Sequence, residues 1–122
     1  MVEDIVKQVE DFVEERDWKQ YHNPKDLAIS ISLEASELLE LFQWKSSEES
    51  VKKYPQEMKE ELADILIYCI QFASIMGYDI KDIITSKLKS NAAKYPAKLV
   101  KGKKEKYTEY TQEVLIDEKW WS

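Results

Sequence analysis

Apolar residues recur every three to four positions along most of the chain, and Pro24, Pro55, Gly77 and Pro96 interrupt that recurrence. Proline cannot continue a helix and glycine tends to end one, so the pattern predicts helices near 25–44, 57–76 and 80–94, preceded by one near 3–16. Asn23 before Pro24 supplies an N-cap followed by proline at the first helical position. Projected at about 100° per residue, Leu27, Ile31, Glu34, Leu38 and Leu41 form one inward stripe, with Glu37 at its flank. The third helix is apolar on nearly every side between Leu62 and Met76, which makes it central. Its polar members Asp64, Tyr68 and Gln71 fall at i, i+4 and i+7, in line with Glu57 and Glu61. Residues 45–56 read as a connection with room for one helical turn, and 97–112 as a polar, lysine-rich stretch of weak periodicity. Val114-Leu115-Ile116 and Trp120-Trp121 put apolar bulk on a short tail, which docks on the body or on a second chain.

Composition supports an all-α reading. A chain of 122 residues closes one core, and two glycines and three prolines against 34% charged residues are too few turn formers for a β-sandwich or barrel. The 43% apolar share excludes wholesale disorder, and no run approaches an uncharged membrane span, so no membrane partner is expected. The N-terminal stretch is acidic rather than basic and apolar, and Cys69 has no second cysteine to pair with. Both features point to a reducing, cytoplasmic setting. A net charge of −6 argues against binding a nucleic acid duplex, and Glu105 breaks the one basic run, Lys98 to Lys106. An anionic ligand would therefore meet local lysines or a bound cation.

The candidate chemistry lies in four acids. Glu34 and Glu37 on the second helix, and Glu61 and Asp64 on the third, are matching i, i+3 pairs on faces that otherwise turn inward. Each pair alone is common on solvated helix surfaces. Two pairs on facing apolar helices are not, because an uncompensated carboxylate in a low-dielectric interior costs several kcal/mol. With no Lys or Arg on those faces, a metal ion is the natural counter-charge. Carboxylate-only ligation selects Mg²⁺ first, then Mn²⁺ or Ca²⁺. A di-iron site needs Glu-x-x-His pairs, and the single histidine, His22, follows Lys19 by three residues. A cation held this way suits phosphate anhydride cleavage. Lys87, Asn91 and Lys94 recur at i, i+4 and i+7 and either read phosphates or form an ordinary exposed lysine face. Trp18, Tyr21, Trp44 and Tyr68 either stack on a base or pack the core.

Glu34-x-x-Glu37 followed after 23 residues by Glu61-x-x-Asp64 resembles the signature of the MazG-like all-α nucleoside triphosphate pyrophosphohydrolases. Four further blocks resemble their dCTP pyrophosphatase branch. They are Glu15-Arg16-Asp17-Trp18 with Gln20, His22 and Pro24; Glu37-Leu38 running to Leu41-Phe42-Gln43-Trp44-Lys45; Glu60-Glu61-Leu62 with Asp64 through Ile67-Tyr68; and Lys87 to Asn91 to Tyr95-Pro96. The resemblance spans residues 3 to 107. It implies a four-helix bundle-like domain over 1–107, with 108–122 as an unmatched tail. It also implies Mg²⁺-dependent hydrolysis of a nucleoside triphosphate to monophosphate and pyrophosphate, in a homodimer or homotetramer. Carried over residue by residue, Glu34, Glu37, Glu61 and Asp64 are catalytic metal ligands. Lys87, Asn91 and Lys94 bind phosphates, Trp18, Trp44 and Tyr68 border base and sugar, and His22 assists there. Lys94 stands where vertebrate relatives have Arg, and Val9 near their base-contacting His, so the resemblance fixes the reaction and leaves open the base, dCTP or a modified dNTP among the choices. The alternative from another class is a non-catalytic helical oligomer that binds divalent metal or nucleotide as a regulatory module. Retention of all four acids favours the enzyme.

Overall fold

The computed structural model describes residues 1–101, and the predicted tail 108–122 with its Val114-Leu115-Ile116 and Trp120-Trp121 groups lies outside them. The described elements are α1 (Val2–Glu15), a 3-10 turn (Lys19–Tyr21), α2 (Pro24–Glu40), α3 (Ser47–Lys53), α4 (Pro55–Met76), α5 (Ile80–Lys94) and α6 (Ala97–Val100). There is no strand among the described residues, and no single helix there is long and apolar enough to cross a membrane. Met1–Ile80 forms one compact unit, holding α1 to α4, and a second unit begins at Lys81.

Local chemistry sets most helix ends. Asn23 Oδ1 accepts the Asp26 N–H at 2.9 Å ahead of Pro24, as the sequence predicts. Two helices end in the same six-residue wrap, in which a left-handed residue lets its own amide and the next one reach back to orphan carbonyls. At the end of α4, Gly77 (φ 72°) donates to Ser74 O at 3.2 Å and Tyr78 donates to Ala73 O at 2.8 Å. At the end of α1 the left-handed position is Asp17 (φ 54°), with Asp17 donating to Glu14 O at 3.0 Å and Trp18 to Val13 O at 3.1 Å. Aspartate tolerates this conformation better than most residues with a Cβ.

Two boundaries differ from the sequence expectation. The second helix stops at Glu40 rather than 44: the amides of Leu41, Phe42 and Gln43 bond three residues back, and Trp44 turns left-handed at φ 65°. The supposed connection 45–56 holds α3, started by a reciprocal cap in which the Glu49 N–H donates to Ser46 Oγ at 3.1 Å and Glu49 Oε1 accepts the Ser46 N–H at 3.4 Å.

Within the first unit α4 is the hub, against which α2 packs along its length and α1 and α3 also rest. Leu27, first in the predicted stripe of α2, is 2% exposed, and Ile31, Glu34, Leu38 and Leu41 follow it as half-buried residues. Among the described residues Val13 and Ala73 complete the fully buried apolar set, and the polar Ser50 and Gln71 are buried with them. The core is thus small, and α4 is less enclosed than its composition implies: Leu62 and Leu66 are about half exposed, as are Ile29 and Leu33 on α2.

Candidate active site

Packing of α2 on α4 carries Glu34 toward the face that bears Glu61 and Asp64. One carboxylate oxygen from each of the three lies within 4.8 Å of the other two. Glu34 and Glu61 are half-buried, while Asp64 and Glu37 face outward. Glu34 Oε2 and Glu61 Oε2 are buried and have no hydrogen-bond partner among the described residues. None of the ion pairs found among those residues includes any of the four acids. Leaving such oxygens orphaned is costly, and a cation relieves that cost at both atoms at once.

The protonation chemistry reflects the same crowding. Glu34 is pushed up to about 7, first because the Glu37 carboxyl shares a hydrogen bond with it, then through burial and the charges of Glu37, Asp64 and Glu61. Glu61 is raised by a hydrogen bond with Glu37, by burial and by the charges of Glu37 and Asp64, while a hydrogen bond with Glu34 partly offsets the rise. Glu37 therefore belongs to the cluster through its contact with both raised acids, although it lies outside the tightest trio. An all-oxygen donor set with this excess negative charge suits a hard divalent cation, Mg²⁺ or Mn²⁺, and the residues present fit such an ion.

The remaining candidates occupy several surroundings. Tyr68 is half-buried one turn beyond Asp64 on α4, and Gln71 extends that face inward with 7% exposure. Trp18 has a local structural partner: its ring meets Phe12 edge-on at 5.7 Å, and the Arg16 guanidinium lies 3.8 Å above the Phe12 ring. This is the apolar contact that accompanies the six-residue wrap at the end of α1. Part of Trp18 remains open, as does Tyr21 on the 3-10 turn. Trp44 is 92% exposed in its left-handed conformation, an unsheltered aromatic on a strained backbone position. His22 is half-buried just after the 3-10 turn. Lys87, Asn91 and Lys94 share a face of α5 in the second unit, where Lys87 is exposed and Asn91 and Lys94 half-buried. Asn91 Oδ1 is buried without a hydrogen-bond partner among the described residues.

Sequence reasoning did not single out a cavity of about 390 Å³ that takes in Val9, Glu10, Val13, His22, Gln71 and Ser74. Across it, the Ser74 hydroxyl donates to Glu10 Oε2 at 2.6 Å. Glu10 looks like any other acid of α1, and 64 residues separate the two partners. Gln71, on the polar stripe of α4, and His22 and Val9, named through the family resemblance, were the members legible in the sequence.

Comparison with known proteins adds findings of three kinds. A family model described as "MazG-like family" matches residues 29–110. The dCTP pyrophosphatase 1 of Rattus norvegicus is 37% identical over 121 residues, covering 95% of this chain and 71% of that protein. The Homo sapiens protein of the same name is 39% identical over 113 residues, covering 88% and 66% respectively. Among solved structures, a pyrophosphatase from Archaeoglobus fulgidus superposes with a TM-score of 0.72 at 37% identity, over 78% of this chain and 92% of that one.

Proposed function

We propose that this chain, which belongs to the MazG-like family and is a nucleotide pyrophosphohydrolase, uses Mg²⁺ or Mn²⁺ to hydrolyse a deoxynucleoside triphosphate, dCTP or a modified dNTP, to the monophosphate and pyrophosphate. The observation that carries the metal reading is the pair of buried, unpartnered oxygens on Glu34 and Glu61, converging with Asp64. Glu34, Glu37, Glu61 and Asp64 would hold the ion. Bound there, it supplies charge neutralisation for the triphosphate oxygens and eases deprotonation of water.

In the reaction, a water oxygen bonds to the α-phosphorus while the bond from that phosphorus to the bridging oxygen breaks. Pyrophosphate departs with the electron pair, and the proton of the water passes to solvent or to the acid cluster. Glu34, pushed up to about 7 without metal, gives up its proton when the ion binds and then acts as an ionised ligand. Tyr68, Trp18, Trp44 and His22 border base and sugar in this reading, and Lys87, Asn91 and Lys94 supply donors to phosphate oxygens. Lysine is a point charge where arginine would offer a fork, so Lys94 fixes phosphate orientation less strictly.

The same reading includes a homodimer or homotetramer. Ile29 and Leu33 on α2, Leu62 and Leu66 on α4, and Trp44 are apolar residues left open among the described residues, surface that a second copy can cover. The deciding experiment measures pyrophosphate release from a panel of dNTPs with and without Mg²⁺. Release only with metal supports the proposal. Equal release in excess chelator would overturn the metal assignment, and no release from any dNTP would overturn the substrate class.

A further inference from the structure

Arg16, Asp17, Trp18 and Gln20 stand in one block of the sequence, and of the four only Trp18 has a part in the proposed reaction. The geometry gives the other three a shared task. Asp17 (φ 54°) is the left-handed residue that ends α1, a conformation uncommon for a residue with a Cβ. Its amide donates back to Glu14 O at 3.0 Å, while its carbonyl and its carboxylate both accept the Gln20 Nε2 amide, at 3.0 and 2.9 Å. One residue thus ties the end of α1 to the 3-10 turn. Trp18 lies inside this tie, its own amide donating to Val13 O at 3.1 Å and its carbonyl accepting the Tyr21 N–H at 2.9 Å.

The ring is held by a second set of contacts. A guanidinium nitrogen of Arg16 donates to Phe12 O at 3.0 Å, and the guanidinium carbon then lies 3.8 Å from the centre of the Phe12 ring and 5.9 Å from that of Trp18. Phe12 in turn meets Trp18 edge-on, at 5.7 Å and 73°. The charge of Arg16 is little used elsewhere, since its one ion pair among the described residues is a long 3.8 Å contact with the adjacent Glu15. Phe12 and Arg16 therefore bound one side of Trp18, and 44% of that residue stays open. An open aromatic whose backbone and ring are both fixed beforehand presents one orientation to an arriving ligand, which then need not order it.

We propose that Arg16, Asp17 and Gln20 are positioning residues, a clasp that sets the Trp18 ring in place before the nucleotide arrives. This rests on the reading of Trp18 as a border of base and sugar, and adds to it how an open ring at a helix end keeps one orientation. Loosening the clasp leaves Glu34, Glu37, Glu61 and Asp64 unaltered. It should therefore weaken nucleotide binding without slowing the chemical step.

The test separates order at Trp18 from stability of α1. Gln20→Leu removes both bonds to Asp17, and Arg16→Gln removes the cation beside the two rings. Asp17→Gly deletes the carboxylate while relieving the left-handed backbone, and Asp17→Asn, which keeps an acceptor and tolerates that conformation, is the conservative control. Each is made in the full chain, alone and with Trp18→Ala, and checked for an unchanged helical signal. The readouts are KM and kcat for dCTP with Mg²⁺, the melting temperature, and the ¹⁹F spectrum of protein labelled with 5-fluorotryptophan, in which the Trp18 signal is the one lost in W18A. R16Q and Q20L should raise KM about three- to tenfold, the range for ordering one side chain on binding, with kcat within about twofold. Both should move the Trp18 signal toward that of the free amino acid. D17G should act the same way to a smaller extent with no loss of melting temperature, and D17N should stay near wild type. In the W18A background the same changes should leave KM within about twofold of W18A alone, because the clasp acts through that ring. Full additivity of Q20L and W18A, or a Trp18 signal unmoved in R16Q and Q20L, overturns the clasp and leaves the activity standing. Displaced Trp18 signals in a protein that hydrolyses no dNTP would uphold the clasp and overturn the activity instead.

Discussion

Metal binding at the acid cluster should release a proton, and the amount should track the ionisation of Glu34. Its carboxyl is pushed up to about 7 by the Glu37 hydrogen bond, by burial and by neighbouring charges. A group with that value is about one-tenth ionised at pH 6, half at pH 7 and nine-tenths at pH 8. If the ion requires the ionised form, binding releases about 0.9 proton at pH 6, 0.5 at pH 7 and 0.1 at pH 8, and affinity rises about tenfold from pH 6 to pH 8. Glu61, also raised, adds to the release on the acid side. The stability of the metal-free protein runs the opposite way. An acid whose folded pKa lies above its unfolded value favours folding at low pH, and that contribution is lost as pH rises through 7. The metal-free melting temperature should therefore fall between pH 5 and pH 8, and Mg²⁺ should raise it more at pH 8 than at pH 5. Titration calorimetry in two buffers of different ionisation heat counts the protons directly. A Glu34→Gln variant should lose most of the release. Binding with no proton release at pH 6, or affinity flat from pH 6 to pH 8, would refute the shared-proton account of the cluster.

Three further outcomes follow from the same geometry. Asp64→Asn keeps side-chain volume but removes one charge from the ligand set, so turnover should fall more than about a hundredfold, beyond the usual cost of an outer-shell change, with the circular dichroism spectrum unchanged. Turnover in ¹⁸O water should place the label in the nucleoside monophosphate, read by mass spectrometry, since attack at the α-phosphorus bonds the water oxygen there. Asn23→Ala removes the cap of α2 and should cost about 1 kcal/mol of stability by urea denaturation, because the Asp26 amide then loses its 2.9 Å partner.

How much of this was readable in the sequence depended on how local each cause is. The start of α2 was legible because Asn23, Pro24 and Asp26 settle it among themselves. The acid pairs were legible because i, i+3 spacing on an apolar face is itself the signal, and the packing of α2 on α4 then brought Glu34, Glu61 and Asp64 together. The end of α2 was not, because Leu41 and Phe42 prolong the apolar rhythm and no glycine announces the left-handed turn at Trp44. α3 was missed for the opposite reason. Its cap was present as Ser46 and Glu49, but Val51 is its only large aliphatic residue, too little to register as periodicity. Trp18 read either as an aromatic for a base or as a packing residue, and its contact with Phe12, set by the wrap that closes α1, was not legible because no glycine marks the left-handed position at Asp17. Glu10 and Ser74 meet only through tertiary packing, and no short-range pattern encodes that meeting.

Assembly and metal binding should be coupled, because the uncovered apolar rows run beside the acids. Leu33 precedes Glu34 on α2, and Leu62 follows Glu61 on α4, while Ile29 and Leu66 extend the rows one turn further. All four are about half exposed, and burying each fully would contribute on the order of 1 kcal/mol. Covering that surface with a second copy in an isologous contact would also exclude water from the acids, raise the cost of their mutual repulsion and strengthen their hold on a cation. Light scattering should give a mass of two or four chains. Leu33→Glu and Leu66→Glu should each shift that mass toward one chain and, although neither residue is a metal ligand, also weaken Mg²⁺ binding and lower the melting temperature. A monomeric wild type with full activity at micromolar concentration would refute the assembly. Variants that become monomeric yet keep wild-type Mg²⁺ affinity would refute the coupling alone.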